Sequence, residues 1–110
     1  MTSGLISTDI PEHTCVLIGV VNKLQDDSLA KEYLEELAFL AETYGLRTRK
    51  TFTQKLEKPD KSTFIGKGKL AEIKNFVKEN AIDVVVFDDE LSPSQQRNIE
   101  KELGGKKILD

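Results

Sequence analysis

A chain of 110 residues, 38% hydrophobic and 32% charged, has the size and balance of one soluble globular domain with a modest core. Its longest apolar run, Cys15 to Val21, falls far short of the roughly 20 residues that a membrane span needs. Its start lacks the basic-then-apolar pattern of a secretory signal, and a lone Cys15 excludes an internal disulfide and fits a reducing cytosol.

Met1 to Glu12 has no apolar period and is expected to be disordered or loosely attached, leaving 13–110 as the folded domain. Cys15 to Val21 is apolar and rich in β-branched residues, as a strand buried on both faces should be. Asp27 or Ser28 can cap a first helix, in which Leu29, Tyr33, Leu37, Leu40 and Tyr44 recur on one face. Gly45 ends it. Leu46 to Leu56 reads as a polar edge strand. Strict alternation puts Arg47, Arg49, Thr51, Thr53 and Lys55 on one side and Thr48, Lys50, Phe52, Gln54 and Leu56 on the other.

Glu57 to Ser62 is a loop. Leu70, Ile73, Phe76 and Val77 define a second helix ending near Asn80, and Ile82 to Phe87 a third strand. Ser92-Pro93-Ser94-Gln95 is a helix start with a cap, proline at the first position and a capping-box glutamine. That helix reaches Leu103 and stops at Gly104-Gly105. Lys107 to Leu109 begins a fourth strand.

The order βαβαβαβ predicts an α/β fold of three layers: a four-stranded parallel sheet, strand order 2-1-3-4, with helices on both faces. Ligands of such sheets bind beyond the carboxyl ends of the strands, where the order reverses. Three loops meet there: Asn22 to Asp27, Glu57 to Lys69 and Asp88 to Leu91.

The net charge of -3 hides an asymmetry. From Arg47 to Lys78 there are ten Lys/Arg against three Asp/Glu, a local +7, while the remainder sums to -10. A basic block points to an anionic partner, although long basic side chains can equally solvate an exposed edge.

Gly66-Lys67-Gly68-Lys69 invites a phosphate-loop reading, but both registers of the Walker motif fail. One requires glycine at Thr63 and a hydroxyl at Leu70; the other requires glycine at Lys61 and a hydroxyl at Gly68. The segment can still meet a phosphate through backbone N–H groups, a helix start and two lysines. With Arg47, Arg49 and Lys50 it forms the candidate RNA or anion contacts.

Asp88-Asp89-Glu90 could hold Mg²⁺, pair with Lys67 or Lys69, or favour the following helix start. Arg97 could grip a phosphate or pair with Glu100. Phe64 could stack on a base or pin its loop to the core. No catalytic residues and no metal ligands can be assigned. A receiver-like Mg²⁺-binding phosphotransfer domain using Asp88 and Asp89 is the enzymatic alternative, but Val21-Asn22-Lys23 lacks the acid it would need.

The strings Phe64-Ile65-Gly66-Lys67-Gly68-Lys69 and Phe87-Asp88-Asp89-Glu90-Leu91-Ser92-Pro93-Ser94-Gln95-Gln96-Arg97-Asn98, with Pro59-Asp60 before Thr63, resemble the amino-terminal domain of the HflX family of ribosome-associated GTPases. The similarity runs from about Thr14 to Asp110. It implies a cytoplasmic parent that binds GTP and Mg²⁺, associates with the large ribosomal subunit and its rRNA, and helps split stalled or idle ribosomes. The family's helical hairpin and GTPase domain have no counterpart in these residues. The resemblance therefore implies a non-catalytic module, without cofactor of its own, that engages the ribosome and docks those further domains. Asp88, Asp89, Glu90 and Arg97 are the candidate docking loop.

Overall fold

The computed structural model describes residues 13–22 and 27–110. The expected looseness of Met1 to Glu12 and most of the Asn22 to Asp27 loop lie outside them. The elements are β1 (His13–Val21), α1 (Asp27–Thr43), β2 (Leu46–Lys55), α2 (Lys67–Glu79), β3 (Val84–Phe87), α3 (Pro93–Glu102) and β4 (Lys107–Leu109). The four strands are parallel in the order β2-β1-β3-β4, as expected.

Alternation along β1 sorts the core into two layers. Val16 and Ile18 join Val85, Phe87 and Ile108 under Leu70, Ile73 and Val77 of α2 and Ile99 of α3. Cys15 and Leu17 join Val84 and Val86 beneath Leu34 and Ala41 of α1. Two helices thus cover one face, while α1 alone lies on the other, mainly over β1 and β2.

Helix ends follow their sequence signals. The Ser92 hydroxyl accepts from the Gln95 N–H at 3.1 Å, and the Gln95 side chain accepts from the Ser92 N–H at 2.9 Å, closing the capping box. Gly45, Gly104 and Gly105 take the left-handed backbone after α1 and α3.

Two expectations need correction. The face of α1 against the sheet is Ala30, Leu34 and Ala41, with Leu37 and Ala38 half-buried beside them. Leu29, Tyr33, Leu40 and Tyr44 remain exposed, at 41%, 51%, 47% and 84%. Phe39 is exposed too. Gly19 makes room for this face: a Cβ there would sit 3.0 Å from the Leu34 side chain, so Leu34 seats directly over the strand backbone. Leu29, Tyr33, Leu40 and Tyr44 lie to one side of that contact.

The second correction concerns β2. A bulge faces Cys15-Val16 with Thr48-Arg49-Lys50, so alternation slips by one residue. Thr48 thus stands beside Cys15, its Oγ1 3.6 Å from the Sγ, on the α1 side. Lys50 and Phe52 face α2, with the Lys50 ammonium 4.9 Å from the Phe52 ring centre and 5.1 Å from that of Phe76. Burial raises the Cys15 thiol above its ordinary pKa, partly offset by Thr48, as suits a core residue.

Candidate functional site

The glycine–lysine segment is held by the loop before it. Asp60 Oδ1 accepts from the backbone N–H of Ser62 at 2.8 Å and of Thr63 at 3.0 Å, and from the Thr63 hydroxyl at 3.3 Å. These donors, with the Lys67 charge nearby, hold the exposed Asp60 carboxyl below its usual pKa. Asp60 and Phe64 exchange backbone hydrogen bonds of 3.0 and 2.9 Å, which closes a tight ring. The ring forces Phe64 to a positive φ of 66° and drives its side chain inward, 4% exposed, edge-on to Phe87 at 5.8 Å. Phe64 is therefore the pin; a buried ring cannot stack on a base.

Helix α3 clamps the same loop from outside. The Gln95 amide donates to the Asp60 carbonyl at 2.7 Å and the Asn98 amide to the Ser62 carbonyl at 2.9 Å. The two unusual strings are thus halves of one joint. At its downstream end the Gly66 N–H donates to Gln54 of β2 at 2.8 Å, and α2 begins.

The start of α2 differs from that of α3. Gly66 at its N-cap has no side chain to accept from the first N–H groups, and the first turn holds no acid. Lys67 and Lys69 stand there instead, where the helix dipole disfavours cations. Gly68 has an unstrained φ, and an added Cβ would meet nothing within 4 Å. Nothing inside the fold requires glycine at that position. Lys69 reaches Glu72 at 3.2 Å and not the acidic turn, one of the three readings that the sequence left open for Asp88-Asp89-Glu90.

The remaining basic candidates are spread out. Arg47 pairs with Thr14 near the start of β1, while Gln54, seven residues further along β2, touches Gly66. At ~3.3 Å per residue this separates Arg47 from the glycine turn by about 23 Å. Arg49 occupies the bulge, and Lys50 lies over two rings. The candidates form a strip along the β2 edge, with Lys67 and Lys69 at one end.

Asp88 and Asp89 sit on the opposite side of the sheet from α2. They line an open groove of about 490 Å³ with Gly19, Val20, Tyr33, Leu37 and Leu40. Partial burial raises both carboxyls above their usual pKa, and Asp89 adds repulsion at Asp88. Among the described residues no three His, Cys, Asp or Glu cluster to hold a metal. Glu90 and Arg97 are exposed.

A raised folded-state pKa means that the native chain holds its protons to higher pH than the unfolded chain. The contribution to stability falls as pH rises through the carboxylate range, from about 4 upward, and the full deficit is present at pH 7. Asp88→Asn with Asp89→Asn is therefore expected to raise the melting temperature at pH 7 and leave it nearly unchanged at pH 3. Thermal unfolding of both proteins at the two pH values checks this.

This geometry does not fit a nucleotide. The N–H groups of Phe64 and Ile65 already serve Asp60 and Thr63, and Gly66 serves Gln54, so no loop of free N–H groups precedes α2. Sequence reasoning missed Asp60, Gln54, Gln95 and Asn98 as the residues that hold the turn. Asp60-x-Ser62-Thr63 carried a readable Asx-turn signal; Gln54, Gln95 and Asn98 act across 12 to 36 residues and carried none.

Residues 31–110 match the family model described as GTP-binding GTPase N-terminal. The chain belongs to that family. Among this family's curated proteins, GTPase HflX of Flavobacterium psychrophilum is 50% identical over 95 residues, which is 86% of this chain and 23% of that protein. GTPase HflX of Escherichia coli is 37% identical over 70 residues, 64% of this chain and 16% of its own length. The chain thus spans a quarter or less of these HflX relatives, matching the HflX amino-terminal domain as expected. A GTP-binding protein from the archaeon Sulfolobus solfataricus, solved with GDP, superposes with a TM-score of 0.65 at 28% identity, covering 89% of this chain and 27% of that one. The catalytic domain of an IS607-like serine recombinase, 19% identical with a TM-score of 0.63, shares the fold alone. No described helix is long and apolar enough to cross a membrane.

Proposed function

We propose that this chain is the non-catalytic recognition domain of a longer, cytosolic HflX-like GTPase. That parent associates with the large ribosomal subunit and helps separate stalled or idle ribosomes. GTP and Mg²⁺ are held elsewhere in it, because the residues before α2 offer no loop of free N–H groups to wrap the phosphates of a nucleotide.

The observation that carries this reading is the start of α2. A helix without a side-chain cap, with lysines in its first turn and an unneeded glycine, is locally unfavourable, yet hydrogen bonds from β2 and α3 fix the loop that leads into it. A phosphate of rRNA would turn each of those local costs into attraction. The basic strip along β2 extends the same charge towards Arg47 and Arg49.

The test is co-sedimentation of the 110-residue chain with purified large ribosomal subunits. Binding is expected, and it should weaken at least about tenfold between 50 and 200 mM salt as counterions are released. Binding that ignores salt would remove rRNA from the proposal. Gly68→Ala sharpens it. Alanine should stabilise the fold by about 0.5–1 kcal/mol in urea titrations, yet weaken subunit binding by crowding the approach to the backbone.

A further inference from the structure

Strand β2 is ten residues long and, among the described residues, pairs with β1 alone, so its other edge is open. The register says which residues serve that edge. Val21 lies opposite Lys55, and the Val21 carbonyl accepts from the Leu56 N–H at 3.0 Å. In a parallel pair that bond turns the backbone of Leu56, Gln54 and Phe52 towards β1. Alternation then points the N–H and C=O groups of Lys55, Thr53 and Thr51 outward. Thr51 and Thr53 are exposed, and a row of unpaired donors and acceptors is a template for one more strand.

The two faces of that edge differ. On the α1 side, Thr51 and Thr53 border a groove of about 450 Å³ lined also by Val21, Ala30, Leu34 and Ala38. The Lys55–Asp27 ion pair, at 2.9 Å, stands in the same groove. On the α2 side are Lys50, over the Phe52 and Phe76 rings, and Gln54, bound to Gly66. Side chains of an added strand would alternate between these faces. Apolar, β-branched ones suit the groove, and acids suit the side of Lys50.

Charge narrows the occupant. Strand β2 carries Arg47, Arg49, Lys50 and Lys55 and no acid. A second copy would set these cations against themselves, which is how natural edges refuse self-pairing. A phosphate accepts hydrogen bonds and donates none, so it leaves the outward carbonyls of Thr51 and Thr53 unmatched. An acidic strand answers both the charges and the backbone. Strand β4, through which the chain reaches Asp110, lies at the far edge, three strands or about 14 Å away at ~4.8 Å each. Polypeptide attached at Asp110 therefore does not begin beside β2.

We infer that the outer edge of β2 accepts an extended acidic segment of another protein as an added strand. Its backbone pairs with Thr51, Thr53 and Lys55, its acids meet Arg49 and Lys50, and its apolar side chains lie along the α1 groove. The inference is independent of the functional reading above but has a consequence for it. A strand over Arg49 and Lys50 takes that part of the basic strip away from RNA.

The probe is a peptide of about eight residues alternating valine with glutamate. One twin carries lysine for glutamate, and another is methylated on its backbone nitrogens. Titrated into the 110-residue chain and followed by NMR, the glutamate peptide is expected to shift the Thr51, Thr53 and Lys55 amides. It should also slow their hydrogen exchange at least about fivefold, which contact by charge alone would not do. Neither twin should do either. Thr53→Pro removes one outward N–H, a change that edge strands tolerate, and should abolish binding while the dispersed spectrum persists. Arg49→Glu with Lys50→Glu leaves the backbone intact and should reverse the preference, so that the lysine twin binds. Equal binding of the glutamate and lysine peptides, binding of the methylated twin, or shifts without slowed exchange would each overturn the inference. Binding that appears only once residues 1–12 are removed would assign the edge to this chain's own amino terminus and overturn it too. In a longer HflX protein carrying these residues the peptide should still bind; loss of binding there would give the edge to a further domain and sink the inference.

Discussion

Phe64→Ala is expected to cost about 3–5 kcal/mol, a large share of the 5–15 kcal/mol that typically holds a domain of this size. The ring is 4% exposed, packs edge-on to Phe87 and fills the core beneath the loop that launches α2. Its backbone conformation makes a sharper comparison possible. At φ 66° alanine keeps the strain that phenylalanine bears, whereas glycine relieves roughly 1 kcal/mol of it. Phe64→Gly should therefore be no less stable than Phe64→Ala despite its smaller side chain. Urea midpoints of the three proteins decide; an alanine variant clearly more stable than the glycine one would mean that the positive φ stores no strain.

The second large effect concerns binding. Lys67→Glu with Lys69→Glu places two anions in the first turn of α2, where the dipole favours them. The variant should therefore fold at least as well as the parent chain, although the Lys69–Glu72 contact is lost. Its affinity for large ribosomal subunits should nevertheless drop by about tenfold or more, and the slope of log affinity against log salt should shrink by up to ~2. Sedimentation across a salt series measures both. Loss of affinity with an unchanged slope would mean that the lysines meet no phosphate.

What could be read from the residues depended on how local the determinant was. Strand and helix order, the α3 capping box, the glycine stops and the 2-1-3-4 sheet rest on periodicity, turn chemistry and right-handed crossovers, all visible within short windows. The sheet-facing side of α1 was not visible. Its apolar arc is wider than one strip, and the seat that Gly19 offers Leu34 is a contact that no period encodes. The bulge opposite Cys15-Val16 was equally hidden, because a slip in strand pairing exists only between two strands. At the glycine turn the residue types were legible, while the clamp from Gln95 and Asn98 depended on tertiary placement.

The order of strands also sets a problem for synthesis. Of the four described strands the central one, β1, leaves the ribosome before the others, yet one of its two neighbours, β3, begins 63 residues after β1 ends. At about 5–20 residues per second that is a wait of roughly 3–13 s. During that interval one edge of the most apolar segment in the chain stays unpaired. Pairing with β2 covers only the opposite edge, so the nascent protein depends on whatever shelters it near the exit tunnel to keep the β3 edge from joining another chain.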